Sequence, residues 1–443
     1  MYPQTVTASL PERIYTAITD GRKVWLVDQD GAPLGIYTNN PSILLSQRFQ
    51  LLASARKLLP KERTANCFYA RVSIENPVDV LLNKTKNKAN YGNLQRCASA
   101  WACPVCASIL SESRKNDVKK AMDWWKSQGG SVLLMTLTNS HHSGTDLKAL
   151  RDGQRKAMAY MMGGTRESKR IFKLIGKEHH IGAYEVTHGK NGFHPHYHVL
   201  LFCKVHVNDP KNSIIRQQLA QEWISSCEKA GLPLPTMEHG LDLQDGSYAD
   251  AYVNKWGLEH EMTKGHIKRG KNGSMTPFDL LRDYSENQND ESGRLFQQYA
   301  LTFKGSRQLN WSRKLKKLAG IGEKTEQQIV DETEKLSEKM MELDIELWNA
   351  VRCQNKRGEL LAAVQEDHTL SLACELIRDC VQKNALTLHI GTKNGKNTQK
   401  WELSKKTPRT PKAIEHRGGG TTTRAERVRG VPEVLKLSDQ IEG

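Results

Sequence analysis

Between Phe193 and Phe202 the chain alternates apolar residues with histidines and then continues as an apolar run. This pattern predicts a β-strand, in which successive side chains point to opposite faces. The preceding residues 181–187 also read as a strand, and the Asn191-Gly192 pair between the two segments is typical of a β-hairpin turn. Because every second residue of a strand shares a face, His196 and His198 are predicted to lie side by side.

Other predicted elements surround this hairpin. An apolar run at residues 131–138 predicts a further strand, and helical periodicity predicts helices near residues 111–128, 146–162 and 213–230. Antiparallel strands interleaved with helices predict an α+β fold, with a central antiparallel sheet flanked by helices.

The hairpin also brings a carboxylate to the histidines. A two-residue turn at Asn191-Gly192 would pair Glu185 with His198, whereas a turn at Lys190-Asn191 would pair it with His196. Either register places Glu185 on the histidine face, about 4.5–5.5 Å from a directly opposed partner.

Two imidazoles and a carboxylate suit a divalent metal with open positions, such as Mg²⁺ or Mn²⁺. His194 has the same parity and is a candidate to support the metal-binding histidines from behind or to serve as an alternative ligand. The alternative is that the histidines are structural, satisfied by hydrogen bonds within a core.

Residues 246–257 contain no proline and are compatible with a helix. On one face of that helix Tyr248, Tyr252 and Lys255 occur at positions i, i+4 and i+7. A tyrosine can form a covalent intermediate, and a lysine beside it can stabilise the phenolate or hold a phosphate. The alternative is that the two aromatic side chains and the aliphatic part of the lysine only pack against the rest of the protein.

These elements together resemble the HUH endonuclease superfamily, specifically the rolling-circle replication initiators of plasmids and small phages. The resemblance rests on His196-Tyr197-His198, on Tyr248-x-x-x-Tyr252-Val-Asn-Lys255 and, upstream, on the Leu133–Thr138 strand, and it covers roughly residues 90–315. Here the tyrosines follow the histidines, as in replication initiators. The resemblance implies a metal-assisted attack of a tyrosine on DNA, a 5′-phosphotyrosine intermediate and later rejoining of the strand.

The net charge of the chain also indicates that its partner is a nucleic acid. The chain of 443 residues carries 65 lysines and arginines against 49 acidic residues, a net charge of +16. Such an excess favours a polyanion, nucleic acid before a membrane surface. The sequence shows neither an apolar run of membrane-spanning length nor a signal peptide, so we expect a cytoplasmic protein.

Nine cysteines in a reducing compartment do not predict a disulfide framework. Instead, Cys97, Cys103 and Cys106 form a C-x5-C-P-x-C group, half of a structural zinc site. The fourth ligand is open between Cys67, the nearest cysteine upstream, and a distant histidine. Buried thiols without a metal are the alternative.

Two segments are candidates for binding the phosphate backbone of DNA. One is the glycine-containing basic loop with Lys264, Lys268 and Arg269, and the other is the basic and aromatic stretch with Lys304 and Arg307. No P-loop motif is present, so we expect a host helicase and DNA polymerase as partners on single-stranded or supercoiled origin DNA.

The chain is thus predicted to contain five parts. They are a small N-terminal unit (1–60), a cysteine-rich zinc-binding segment (61–115), an HUH endonuclease domain (116–315), a helical region (316–389) with an amphipathic helix at 323–347, and a basic, disordered tail (390–443). The predicted function is initiation of plasmid rolling-circle replication. The alternatives are a transposase with the same chemistry and a non-catalytic, zinc-dependent DNA-binding regulator.

Overall fold

A computed structural model describes residues 5–10, 13–19, 24–27, 33–37, 41–254, 274–383, 388–392 and 399–403. The strands are β1 (Thr5–Leu10), β2 (Arg13–Thr19), β3 (Val24–Val27), β4 (Pro33–Tyr37), β5 (Val78–Asn83), β6 (Lys88–Gly92), β7 (Ser131–Leu137), β8 (Lys177–Gly189), β9 (Gly192–Cys203), β10 (Leu241–Gln244), β11 (Leu309–Trp311), β12 (Glu338–Leu343), β13 (Leu388–Thr392) and β14 (Gln399–Leu403).

The α-helices are α1 (Pro41–Leu58), α2 (Pro104–Ser127), α3 (Leu147–Ala159), α4 (Arg166–Leu174), α5 (Ile214–Lys229), α6 (Gly246–Asn254), α7 (Pro277–Asn287), α8 (Asp290–Thr302), α9 (Leu315–Leu318), α10 (Glu326–Lys335), α11 (Ile345–Cys353), α12 (Arg357–Glu366) and α13 (Ser371–Lys383). Short 3₁₀ turns at Arg63–Asn66 and Pro210–Asn212 and a π turn at Tyr160–Gly164 complete the described elements.

The central sheet has the strand order β10-β7-β9-β8-β11, and all its neighbours are antiparallel. Its middle is the predicted hairpin, formed by β8 and β9. Helices pack on this sheet, which confirms the predicted α+β fold with a central antiparallel sheet flanked by helices.

Two apolar clusters lie on opposite faces of the central sheet, and alternate residues of each strand belong to one or the other. On β9, Tyr197, Val199 and Leu201 join the larger cluster, whereas Leu200 and Phe202 join the smaller one. The smaller cluster also contains side chains of α2 and α6, among them Trp125 and Val253. His196 and His198 have the parity of Leu200, so they belong to the face of the sheet on which α2 and α6 pack.

Two further sheets lie outside this centre. Strands β1 to β4 form an antiparallel meander in sequence order. The other sheet has the order β13-β14-β12-β5-β6, so it joins residues 78–92 to residues far later in the chain.

Three details differ from the predicted elements. Helix α2 begins at Pro104, seven residues before the predicted start, because the thiol of Cys103 caps it by accepting from the Cys106 amide. The single helix predicted at 323–347 is wrong: α10 ends at Lys335, and the next residues form β12, which pairs with β5 and buries Met341 and Leu343. Strands β13 and β14 fall at the start of the tail predicted to be disordered, and residues 404–443 lie outside the described residues.

Candidate metal and tyrosine site

The hairpin register decides which histidine faces the carboxylate. Gly189 pairs with Gly192, so Lys190 and Asn191 form the turn and Glu185 lies opposite His196. This is the second of the two registers that the sequence allows. The left-handed φ falls on Gly192, at 83°, as in hairpins whose turn is followed by a glycine.

The three predicted ligands converge on one point. Oε2 of Glu185 lies 3.6 Å from Nε2 of His196 and 3.5 Å from Nε2 of His198. The ligand atoms of the three residues all lie within 4.8 Å of one another, so the group could hold a divalent metal ion.

Helix α6 carries Tyr252 onto this group. Its hydroxyl donates a hydrogen bond to Oε1 of Glu185, and its ring centre lies 4.4 Å from that of His198. The helix is seated by Ala249 and Val253, both buried in the smaller apolar cluster. The nucleophile candidate and the metal group therefore share one carboxylate.

The electrostatic balance at Glu185 favours the ionised form. Burial alone would raise the pKa of this carboxyl, but the facing imidazoles, His198 first, outweigh it and hold the pKa well below its usual value. Glu185 is thus an anion at neutral pH, able to accept the Tyr252 hydrogen bond and to ligate a cation.

Thr136 belongs to the Leu133–Thr138 strand that carries part of the resemblance, but the sequence assigned it no role in the site. It lies on β7 directly opposite His198, and its hydroxyl lies 2.9 Å from Nδ1 of that ring. Holding one ring nitrogen orients the other toward the metal position. The polar Thr136, after the apolar run of residues 132–135, was the available signal.

His194 extends the row of histidines but is not part of the three-residue group. Its ring centre lies 5.2 Å from that of His196, and its Nδ1 lies 3.4 Å from Nδ1 of His141. Burial lowers the pKa of His194 to about 4, with nearby His196 and His141 adding to the effect. It is a neutral neighbour of the metal group.

The two tyrosines of α6 differ in their surroundings. Tyr248, in the first turn of α6, is 58% exposed, whereas Tyr252 packs against the smaller apolar cluster and contacts Glu185. Lys255, the third residue of the predicted nucleophile motif, lies outside the described residues.

The four cysteines of the predicted zinc site come together in the core. Sγ of Cys67 lies 3.6 Å from that of Cys103 and 3.5 Å from that of Cys106, and Cys97 lies 3.8 Å from Cys106. Four thiolates at about 2.3 Å from a tetrahedral zinc lie about 3.8 Å apart. The buried group could therefore bind zinc.

Cys67 supplies the fourth thiol, one of the two options left open by the sequence. The amide of Cys97 donates to its sulfur, and hydrogen bonds from the other three thiols, Cys103 first, hold the pKa of Cys97 well below its usual value. Burial raises the pKa of the Cys103 thiol well above its usual value, so the geometry of the four sulfurs is what favours a metal here.

The predicted DNA-binding residues fall in two places. Lys304 and Arg307 line a cleft beside the cysteine cluster, and Lys304 forms an ion pair with Glu62 at 2.7 Å. Lys264, Lys268 and Arg269 lie outside the described residues. Among the helices in the described part of the chain, none has the length and apolar character needed to span a membrane.

Two curated Streptomyces proteins are similar to parts of this chain. A protein named "Protein rep" from Streptomyces lividans is 25% identical over 52% of this chain and 64% of its own length. A protein named "Neomycin resistance protein" from Streptomyces cyanogenus is 26% identical over 24% of this chain and 30% of its own length. The chain thus spans less than two thirds of these relatives. No model of a known protein family matches it, and no solved structure does.

Proposed function

We propose that the chain nicks one strand of DNA through Tyr252 and thereby starts rolling-circle replication of a plasmid. One observation carries the proposal: Glu185 accepts a hydrogen bond from the Tyr252 hydroxyl while facing the imidazoles of His196 and His198. A nucleophile and a metal-ligand group at one carboxylate suit phosphodiester cleavage. The similarity to a protein named "Protein rep" supports the replication role.

The proposed step exchanges one phosphate ester for another. The phenolic oxygen of Tyr252 attacks the phosphorus, and the bond from phosphorus to the 3′ oxygen breaks. The phenolic proton passes to the Glu185 carboxylate or to water, and the departing oxygen takes up a proton to become a 3′-OH. The 5′ phosphate remains on Tyr252. Because an ester bond is kept, attack by a 3′-OH can rejoin the strand without ATP.

The residues around the phosphate have separate tasks. A Mg²⁺ or Mn²⁺ ion held by Glu185, His196 and His198 would polarise a phosphate oxygen. The side chain of Thr136 keeps the His198 ring in its orientation, and the carbonyl of His194, 3.3 Å from Nδ1, does the same for His196. The packing of α6 holds the phenol at its place beside Glu185.

The two tyrosines would act in order. Tyr252 attacks first, because its hydroxyl already contacts Glu185. Tyr248, one helical turn earlier and mostly exposed, would make a second cleavage while the first strand stays attached. The alternative kept from the sequence is that Tyr252 acts alone.

The test is cleavage of single-stranded replicon DNA with Mn²⁺, scored for protein attached covalently to 5′ ends. We expect Tyr252→Phe and His196→Ala to abolish the adduct and Tyr248→Phe to retain the first cleavage. Matched controls are Tyr160→Phe and His239→Ala, since both residues are solvent-accessible and lie outside the site. DNA binding with no adduct under any divalent metal would contradict the proposal and favour a DNA-binding regulator.

The replication role needs a test in cells. A replicon that carries Tyr252→Phe should not be maintained, whereas the wild type should produce single-stranded circular DNA. If the wild type instead moves DNA flanked by element ends and leaves plasmid copy number unchanged, the same chemistry serves a transposase.

A further inference from the structure

A basic cleft with a volume of about 1190 Å³ lies beside the cysteine cluster. One wall is the loop at residues 97–102, between two of the cluster cysteines. A second wall is the segment around β11 at residues 304–317, and a third is formed by residues 323–329. The cleft is thus built from parts of the chain that are far apart in sequence.

The lining of the basic cleft is strongly positive. It contains ten basic and four acidic side chains. Within the described residues, six of the ten basic side chains show no ion pair with a carboxylate, whereas Arg114, Lys304, Lys316 and Lys324 each have one. The six are Lys61, Arg63, Arg307, Arg313, Lys314 and Lys317. Cations that have no acidic partner among the described residues are available to an anionic ligand.

The basic cleft adjoins a pocket that contains Tyr252. A smaller pocket of about 280 Å³ contains Glu185 and Tyr252 in its lining. Both cavities are lined by Ala100, Trp101 and Leu309. A DNA strand with one phosphate at Tyr252 would therefore have the basic cleft as the adjoining cavity.

Aromatic side chains serve two roles along this path. Trp101 is buried and fixes the cysteine loop, because its Nε1 donates to the Ser306 carbonyl at 2.7 Å and its ring stacks on Phe303 at 4.9 Å. Trp311 is only partly buried, and Nζ of Lys316 lies 5.3 Å from its ring centre. A partly exposed indole beside a lysine suits stacking with an unpaired base.

We propose that the basic cleft binds the single DNA strand that continues from the phosphate held at Tyr252. The link to Tyr252 rests on the proposed nicking function, whereas strand binding by the cleft stands on its charge and lining. Unpaired cations would contact successive phosphates, and Trp311 would stack on a base. The loop at 97–102 connects Cys97 to Cys103, so the cysteine cluster fixes one wall of the strand-binding surface.

The test compares two triple variants of the full-length chain. Lys61→Gln, Arg313→Gln and Lys317→Gln remove three of the ten positive charges of the cleft. The matched control, Arg166→Gln, Lys169→Gln and Lys173→Gln, removes one arginine and two lysines from exposed positions on α4. The probe is a fluorescent oligothymidylate of about 15 nucleotides, titrated by anisotropy at several salt concentrations.

We expect the cleft variant to bind the single strand at least about tenfold more weakly and to reduce the slope of log K against log salt by about 2, since each lost phosphate contact removes about 0.7. The control variant should bind like the wild type. A very short oligothymidylate that fills only the tyrosine pocket should lose little affinity in either variant.

Three results would overturn the cleft proposal. They are an unchanged single-strand affinity of the cleft variant, equal losses of affinity in the cleft and control variants, and a loss of duplex affinity in the cleft variant as large as its loss of single-strand affinity.

Failure of the nicking proposal looks different. In that case no covalent adduct forms with wild type, yet the cleft variant still binds oligothymidylate more weakly than the control. Circular dichroism of each variant shows whether the fold is retained, and weakened binding counts only for a folded variant.

Discussion

The hydroxyl of Thr136 lies 2.9 Å from Nδ1 of His198, at opposed positions of β7 and β9. The contact occupies the ring nitrogen that faces away from Glu185 and leaves Nε2 directed at the carboxylate, 3.5 Å away. The imidazole is therefore oriented by the sheet itself before any metal binds. Contacts of this kind tune metal affinity in proteins.

Replacing Thr136 with valine should weaken the metal site without changing the shape of β7. We expect the Mn²⁺ concentration for half-maximal adduct formation to rise about tenfold to a hundredfold, since losing such a partner has this effect on metal affinity. Thr138→Val is the control, because that hydroxyl donates to the His239 carbonyl instead. Identical metal titrations for both variants would show that Thr136 does not position the ligand.

Gly192→Ala should destabilise the hairpin that carries the site. The residue has φ at 83°, and an added Cβ would lie 3.1 Å from Cα of Ser143. We expect the free energy of unfolding to fall by about 2–3 kcal/mol. Gly129→Ala separates the two causes, since its φ is 77° but its Cβ would meet no atom within 4 Å. It should lose about 1 kcal/mol in the same denaturant titration.

Removing one cluster cysteine should remove bound zinc. Cys67→Ala is expected to lose the metal and to unfold at a lower temperature, because a structural zinc site contributes directly to folding. Cys203→Ala removes a buried thiol outside the cluster and should keep its zinc. Metal content by mass spectrometry of the purified proteins checks this. Equal zinc in both variants, or none in the wild type, would contradict a zinc cluster.

Acid should destabilise the fold through His180. Burial lowers the pKa of this imidazole to about 4, and the positive charge of Lys177 adds to the effect. The unfolded chain takes up the proton near pH 6.5, so the free energy of unfolding is unaffected above that pH and falls as the pH drops toward 4. We expect a loss of about 3 kcal/mol in this window that His180→Gln abolishes. The solvent-accessible His239→Gln variant should follow the wild-type curve.

Most of what the sequence could predict about the site came from the alternation of side chains between the two faces of a β-strand. A period of two is enough to place His196, His198 and Glu185 on one face, whatever the register. The register itself depended on where a positive φ falls in the turn, which the Asn-Gly pair leaves open. Thr136 was missed because its role depends on the alignment of β7 with β9, a long-range pairing that local sequence does not encode.

The cysteine site and the region after residue 323 show the same limit. Cys67 reaches the cluster only after the segment that contains β5 and β6 folds back, so spacing alone could not choose it over a histidine. The charged residues around β12 have local helical spacing, but pairing with β5 offers Met341 and Leu343 a buried face. Tertiary pairing overrode the local pattern there.

The sheet that joins β5 and β6 to β12 and β14 has a practical consequence for dissecting the protein. A fragment of residues 116–315, the span expected for the catalytic part, would start inside α2 and lack all four cluster cysteines. It would also lack both flanks of the outer sheet, whose strands precede and follow it. The segment predicted to be the endonuclease domain is thus inserted between strands of the outer sheet. Exchange of this segment between proteins by recombination would therefore preserve the fold only if the recipient protein kept the outer-sheet strands on both sides of it.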